Sequence, residues 1–419
     1  MFEETRARCP PSADLLSNLA HALDQAGRPA DGLPPARQAV VLAPPGTPSQ
    51  WRARFVEARL LATLGRNEDA LAAFEGLADS PLPPAERRAL KAELARLNDR
   101  LDRPQAAFAA AMDMNRLAAA QAPRQIDPRA FIERVARMAA WATPARLAEP
   151  PPTPKNDPTG DDLTGDDLTG DDLPDPILLV GYPGAGTTLL DTLLGAHPGV
   201  RTGGGVSPLG DLCQVVCRLI GGAELYPAGL DSLPPTAWAG LRRALWADAE
   251  QRLGPLISPQ TGAPRRLLDR RPFNIIDLPF AARLFPGAPV LVALRDPRDL
   301  LLCNLMRDAP PSDATATAWR LDTCAEACCK VMRPFLAQRD HLNLDLLVYR
   351  HEDLIAQPAT TLGRVLAHLG LPASPGMADA PAQAPSDPTI GRWRAYRAVL
   401  APALPELTRL AGELGYPAD

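Results

Sequence analysis

The chain has 419 residues, room for two separate cores, and its 46% hydrophobic and 22% charged content excludes wholesale disorder. A formal net charge of −5 argues against a general nucleic-acid binder, whose footprint is a basic excess. There is no uncharged apolar run of about eighteen residues, so no membrane-spanning segment is predicted. The opening stretch MFEETRARCPPSADLL lacks the continuous apolar region of a signal peptide. Seven cysteines, an odd number without an export signal, predict a reducing, cytoplasmic setting rather than a disulfide framework. Cys213 and Cys217, and Cys324 with Cys328 and Cys329, sit on helical faces within apolar runs. They are expected to be small buried hydrophobes rather than zinc ligands. The 48 prolines are expected to cluster in linkers and turns.

In chain order, residues 1–143 show only helical patterning. Three stretches look alike: LAHALDQAGRPADGLPPARQAV, ARLLATLGRNEDALAAFEGLA and LARLNDRLDRPQAAFAAAM. Aligning Gly27-Arg28, Gly65-Arg66 and Asp102-Arg103 spaces them by 38 and 37 residues. Each unit reads as a small/apolar helix, a turn and an alanine-rich helix. The pattern resembles tetratricopeptide-type hairpins with lengthened loops; a generic alanine-rich bundle is the alternative. A scaffold that binds a protein partner is the expected role. Residues 144–175 read as a tether, proline-rich and then TGDDL three times over, without the D-x-D-x-D-G spacing of a calcium loop.

From residue 176 to 419 the pattern becomes α/β. Apolar runs at 177–180, 289–294 and 345–350 alternate with helical stretches at 187–196, 236–253 and 314–338, which predicts a parallel sheet covered by helices on both faces. The first βα turn, Gly181-Tyr-Pro-Gly-Ala-Gly186-Thr187-Thr188, has the G-x-x-x-x-G frame of a phosphate loop. Its backbone N–H groups and the helix dipole suit a phosphate or sulfate. Thr187 takes the place of the lysine of a nucleoside triphosphatase, and the strand at 289–294 runs into Arg295 rather than an aspartate, which argues against ATP or GTP hydrolysis. In Arg295-Asp-Pro-Arg298-Asp299, Arg295 is expected at the same sheet edge as the loop, and Asp299 is expected to cap backbone donors or orient Arg298. Taken alone, the string could equally be a surface salt-bridge cluster.

The combination of G-x-P-x-x-G-T-T, R-D-P-R-D and a near-C-terminal G-R-W resembles the sulfotransferase family, especially bacterial members with tetratricopeptide repeats before the transferase domain, similar to tyrosylprotein and Golgi-type sulfotransferases. Further blocks fit in order: LLDTLLGAHPGV, Asp269-Arg270-Arg271-Pro272-Phe273-Asn274, VYRHEDLIAQPATTLGRVLAHLGLP and Thr389-Ile-Gly391-Arg392-Trp393. The resemblance implies a P-loop-like α/β fold that transfers a sulfuryl group from 3′-phosphoadenosine-5′-phosphosulfate to a hydroxyl or amine, on a small molecule or a protein, without a metal. It implies donor binding by Pro183, Gly184, Ala185, Gly186, Thr187 and Thr188. Arg295 and Cys303 are implied at the 3′-phosphate, and Gly391, Arg392 and Trp393 over the nucleotide. Arg270 and Thr389 are implied as catalytic, in place of the family's lysine and serine.

Three departures alter four family positions. Gly184 and Ala185 stand for an arginine and a serine in the loop, Gly205 for a glutamate base, and Cys303 for a serine. Arg270, Arg271 and Arg201 are the candidate compensating cations, His351 and Asp211 the candidate bases, and His197 is expected to be structural. The alternative expectation is a nucleotide-binding scaffold with little or no turnover.

Overall fold

The structure, a computed structural model, describes residues 11–150, 174–257, 262–374 and 389–419. The TGDDL repeats, and with them most of the expected tether, lie outside the described residues. Two compact units emerge. One takes the described chain up to Pro128 with Leu302–Cys324 and Trp393–Ala403; the other takes Arg129–Leu301, Ala325–Arg392 and Leu404–Asp419.

The first unit is helical. It contains α1 (Ala13–Gln25), α2 (Pro29–Leu42), α3 (Pro48–Thr63), α4 (Asn67–Glu75), α5 (Pro84–Arg100) and α6 (Pro104–Gln121), and consecutive helices pack on one another. Many of the prolines expected in linkers open helices instead. Pro29, Pro48, Pro84 and Pro104 sit in a first turn, where the missing N–H has no intrahelical acceptor to lose. The internal repeat is visible as one corner made three times. Gly27, Gly65 and Asp102 take φ of 72°, 75° and 55°. After each, the next N–H reaches back five residues: Arg28 to the Leu23 carbonyl at 2.8 Å, Arg66 to Leu61 at 2.9 Å and Arg103 to Asn98 at 2.8 Å. Leu60, Phe74, Leu77, Leu90 and Leu97 are buried in this unit. The later segments join it through Asn115, which donates to the Leu305 carbonyl at 2.9 Å, and Tyr396, which donates to Asp99 at 2.7 Å.

The second unit is α/β, as expected. From Arg129 on, α7 (Pro128–Trp141) belongs to it: Arg134 forks onto the buried Asp277 at 2.7 and 2.5 Å, and the Tyr226 hydroxyl donates to the same carboxylate at 3.0 Å. The sheet comprises β1 (Ile177–Gly181), β2 (Val200–Thr202), β3 (Arg266–Arg270), β4 (Pro289–Leu294) and β5 (Asp345–Arg350), all parallel, in the order β2-β3-β1-β4-β5. Every residue of β1 and β4 is buried, because helices cover both faces of the centre. The helices that matter below are α8 (Thr187–Gly195), α9 (Pro208–Leu219), α10 (Pro235–Leu253), α11 (Pro297–Leu305), α12 (Leu321–Gln338), α13 (His351–Ala356) and α14 (Leu404–Glu413). The stretch predicted as one helix over 314–338 is interrupted by a 3₁₀ turn at Thr317–Trp319. On α12, Cys324, Cys328 and Cys329 are all buried. Burial pushes the Cys324 thiol up to about 12 and Cys329 to about 11, so both stay neutral. No helix among the described residues is long and apolar enough to cross a membrane.

Candidate active site

The chain leaves β1 and turns at once into α8. The Ala185 N–H donates to the Tyr182 carbonyl at 3.0 Å, which closes the loop. Gly186 is the N-cap of α8 at φ 82°. A Cβ there would lie 2.1 Å from His351 Nδ1, so only glycine admits the buried imidazole that packs against this corner. In the first turn of α8 the Leu189 N–H donates to the Gly186 carbonyl at 3.1 Å, while the Thr187 and Thr188 N–H groups come before the first intrahelical acceptor, at the positive end of the helix dipole. Thr187 is buried and Thr188 exposed, and the loop itself carries no ionised side chain.

Cations reach the loop from the strands on either side of β1. Arg270 ends β3; its Nη1 donates to Thr188 Oγ1 at 3.2 Å, and its Nε lies 3.0 Å from Asp191 Oδ2 on α8. Burial pushes the Asp191 carboxyl up and the Arg270 charge pulls it back. The free edge of the guanidinium faces the 203–205 turn: a Cβ built on Gly205 would stand 4.0 Å from Arg270 Nη2. On the other side Arg295 follows β4. Its Nη1 donates to the Gly184 carbonyl at 3.0 Å and its Nη2 to the Thr389 hydroxyl. Connections leave β1 and β4 in opposite directions across the sheet, so these arginines border the crevice where such folds hold ligands.

A buried frame fixes both arginines. Asp269, beside Arg270, accepts from Ser207 Oγ at 2.6 Å and from the Leu209 N–H at 2.8 Å, which ties the end of β3 to the start of α9; Asn274 Nδ2 donates to Ser207 Oγ at 3.0 Å. Burial raises the Asp269 carboxyl from 3.8 to about 6. A raised folded-state pKa gives stability that is complete below the unfolded value and lost as pH climbs through the folded one. Over that span of a little more than two units, the contribution is about 3 kcal/mol. Thermal melts at pH 5 and pH 7 should therefore differ less in Asp269→Asn than in the parent; an equal pH slope in both would count against this carboxyl as the source.

Arg295, Asp296, Arg298 and Asp299 are 4%, 7%, 0% and 2% exposed, so the R-D-P-R-D string is no surface salt-bridge cluster. Asp299 caps a backbone donor, one of the two roles expected for it. It accepts from the Gly391 N–H at 2.5 Å, while Arg298 forks onto Asp296 at 2.9 and 2.7 Å. The loop residues Pro183 to Thr188, Arg270, Arg295, Thr389 and Gly391 thus gather at one sheet edge, with Arg392 next in the chain. Cys303, half-buried on α11, and Trp393, buried under the guanidinium groups of Arg394 and Arg397 at 5.0 and 5.5 Å from its ring, belong to the helical unit. Among the other candidates, Arg201 donates to the Leu253 carbonyl at the end of α10. Asp211 pairs with Arg252. His197 is structural: Nδ1 accepts from the Gly199 N–H at 3.0 Å, which leaves Nε2 to donate to the Pro372 carbonyl at 2.9 Å. Asp191 was missed, although its place one turn after Thr187 and Thr188 on an otherwise apolar helix start was a readable signal.

Residues 176–375 match the model of the sulfotransferase family. This part of the chain is a sulfotransferase-family domain. The sulfotransferase domain is similar to protein-tyrosine sulfotransferase 1 of Rattus norvegicus, 27% identical over 164 residues that cover 39% of this chain and 42% of the relative. For protein-tyrosine sulfotransferase 1 of Danio rerio the identity is 23% over 197 residues, 47% of this chain and 53% of the relative. The chain thus spans about half, or less, of these curated relatives. Among solved structures, the sulfotransferase domain of the Synechococcus PCC 7002 olefin synthase is 17% identical, with 60% of this chain and 98% of that one covered and a TM-score of 0.36. The sulfotransferase STF1 from Mycobacterium tuberculosis is 16% identical, with 78% and 98% covered and a TM-score of 0.35.

Proposed function

We propose that the sulfotransferase domain moves a sulfuryl group from 3′-phosphoadenosine-5′-phosphosulfate to an acceptor hydroxyl or amine. The observation that carries this is the convergence of Arg270 and Arg295, from opposite sides of β1, on a glycine loop that has no charge of its own. The donor supplies an activated sulfur–oxygen bond. In the transfer that bond breaks, one forms between sulfur and the acceptor atom, and the acceptor's proton departs. The chain's part is positioning and charge. The α8 N–H groups and Thr188 hold the phosphosulfate end, Arg270 faces the charge that develops there, and Arg295, with Thr389 fixed beside it, takes the 3′-phosphate. Gly184 and Gly205, at the family's arginine and glutamate positions, have φ of 92° and 103°. The backbone itself is therefore shaped for glycine at both places, which favours Arg270 as the working cation over a loop arginine.

The relatives named protein-tyrosine sulfotransferases favour a protein hydroxyl as acceptor. In the same reading the tetratricopeptide-like module expected at 1–143 ends at Pro128, where α7 passes to the transferase unit; the module presents a partner, 144–175 is a tether and 176–419 the transferase. The free, buried thiols of Cys213, Cys324 and Cys329 support a cytoplasmic setting.

The test is release of adenosine-3′,5′-bisphosphate from the donor by the full chain. Binding gives a second check. Arg295→Ala should weaken adenosine-3′,5′-bisphosphate by about 10- to 100-fold, as expected for hydrogen bonds to a charged group, and leave AMP nearly unchanged. Equal losses for both ligands would remove Arg295 from the 3′-phosphate.

A further inference from the structure

The last residues of the chain form a clasp on the two turns that border the loop. Arg298 is 0% exposed, and its guanidinium is completed by the chain's end: Nη1 donates to the Ala418 carbonyl at 2.6 Å and Nη2 to the Pro417 carbonyl at 2.7 Å, beside the fork onto Asp296. The Tyr416 hydroxyl donates to Glu352 Oε2 at 3.0 Å, and Glu352 Oε1 accepts from the Asp296 N–H at 3.0 Å. Arg350 stacks on the Tyr416 ring with its guanidinium carbon 4.5 Å from the centroid, and its Nη2 donates to the Gly415 carbonyl at 2.7 Å and to Leu414 at 3.2 Å. The side chains of Arg298, Arg350 and Glu352 that grip the tail therefore lie within three residues of Arg295 or within one of His351. Those two residues touch the glycine loop, at Gly184 and Gly186.

We propose that the segment Leu414–Ala418 is a positioning element of the nucleotide site: through Glu352, Asp296 and Arg298 it fixes the turn that aims Arg295. The physical ground is the buried charge. Arg298 has no water to turn to, so the tail carbonyls hold its second edge, and Asp296 is held by Arg298 on its side chain and by Glu352 on its backbone. With the tail released, the turn keeps its sequence but loses its single orientation, and Arg295 loses the aim that lets it distinguish a 3′-phosphate from a bare ribose hydroxyl. Arg350, Glu352, Asp296, Arg298 and Tyr416 act through Arg295; none of them is assigned a contact with the nucleotide.

This inference rests on Arg295 as the 3′-phosphate ligand, and the experiment separates the two. Calorimetric titration of the full chain with adenosine-3′,5′-bisphosphate and with AMP gives the affinity ratio for the parent protein, Tyr416→Ala, Glu352→Ala and Glu352→Gln. The amide in Glu352→Gln can still accept from Asp296 N–H and face the tyrosine hydroxyl, so it should keep the parent ratio. Tyr416→Ala and Glu352→Ala should lose about 10-fold in bisphosphate affinity and less than about 2-fold for AMP, the size of one charged hydrogen bond. Loss of general stability would lower both affinities together and leave the ratio intact. A parent that does not prefer the bisphosphate overturns the assignment of Arg295 itself. A parent that does prefer it, with the ratio unchanged in Tyr416→Ala and Glu352→Ala, overturns the positioning role of the tail alone. Should Tyr416→Ala fail to fold, the Glu352→Ala and Glu352→Gln pair decides.

Discussion

Arg270→Ala is expected to lower the rate of sulfuryl transfer by about 10²- to 10³-fold at saturating donor, the usual cost of removing one donor aimed at developing charge. Arg270→Lys should recover most of that, because it restores a cation at the same strand end, though without the forked geometry that reaches Thr188 and Asp191 together. The bisphosphate product should bind the alanine variant almost as well as the parent, since Arg295 sits on the other side of β1. A stability effect accompanies the kinetic one. Asp191, whose side chain is 10% exposed, would be left with a buried carboxylate lacking its ion-pair partner, which costs about 1–3 kcal/mol. Its carboxyl is already raised by burial, and Arg270 is the group that pulls it back. Without Arg270 the pKa climbs further, so the variant's deficit should grow as pH rises through that value and shrink in acid. Melting curves at pH 5 and pH 8 check the sign; a larger deficit at pH 5 would contradict it. Unchanged kcat in folded Arg270→Ala would show that the loop's charge is met from elsewhere.

The second large effect is steric. Gly186→Ala forces a side chain into a left-handed corner at φ 82° and into the imidazole of His351 at 2.1 Å. The backbone part alone costs about 1–2 kcal/mol. His351 is 5% exposed, between the loop and the start of α13, and has little room to yield. The sum should be about 2–4 kcal/mol and a drop of several degrees in melting temperature, together with loss of anion binding at the head of α8. The two parts can be separated. In a His351→Ala background the steric share disappears and the backbone share stays, so Gly186→Ala should cost markedly less there. Equal costs in both backgrounds would mean that the imidazole is not what holds the corner.

Much of the sulfotransferase domain was legible because its central strands are short, wholly apolar and bounded by breakers. The runs at 177–180, 289–294 and 345–350 became β1, β4 and β5 almost residue for residue. The glycine loop, Arg295, Thr389 and Gly391 were legible for a different reason: they are ordered motifs whose spacing survives without neighbours. β2 and β3 were not seen. Val200–Thr202 is three residues at a sheet edge, and Arg266–Arg270 carries arginine at both ends and aspartate within, which hides its buried Leu267 and Leu268. Pairings made only in three dimensions were also out of reach. Asp299 meets Gly391 across 92 positions, and Tyr416 meets Glu352 across 64. A sequence string shows that R-D-P-R-D is charged; only the fold shows that it is buried and that Arg298 forks onto Asp296. The helical unit gave up its repeat because the corner chemistry, glycine or aspartate followed by arginine, recurs at regular spacing and enforces the same left-handed turn each time.

The central claim is that an uncharged glycine loop, with Arg295 beside it for the 3′-phosphate and Arg270 for the transfer, binds a 3′-phosphorylated adenine nucleotide. Its most direct test is the melting temperature of the full chain titrated with adenosine-3′,5′-bisphosphate, with ATP as comparison. Binding to the folded state should raise stability with the logarithm of ligand concentration, by about 2.7 kcal/mol at a hundred times Kd, with ATP well behind. No shift with the bisphosphate at millimolar concentration, or a larger one with ATP, would contradict it.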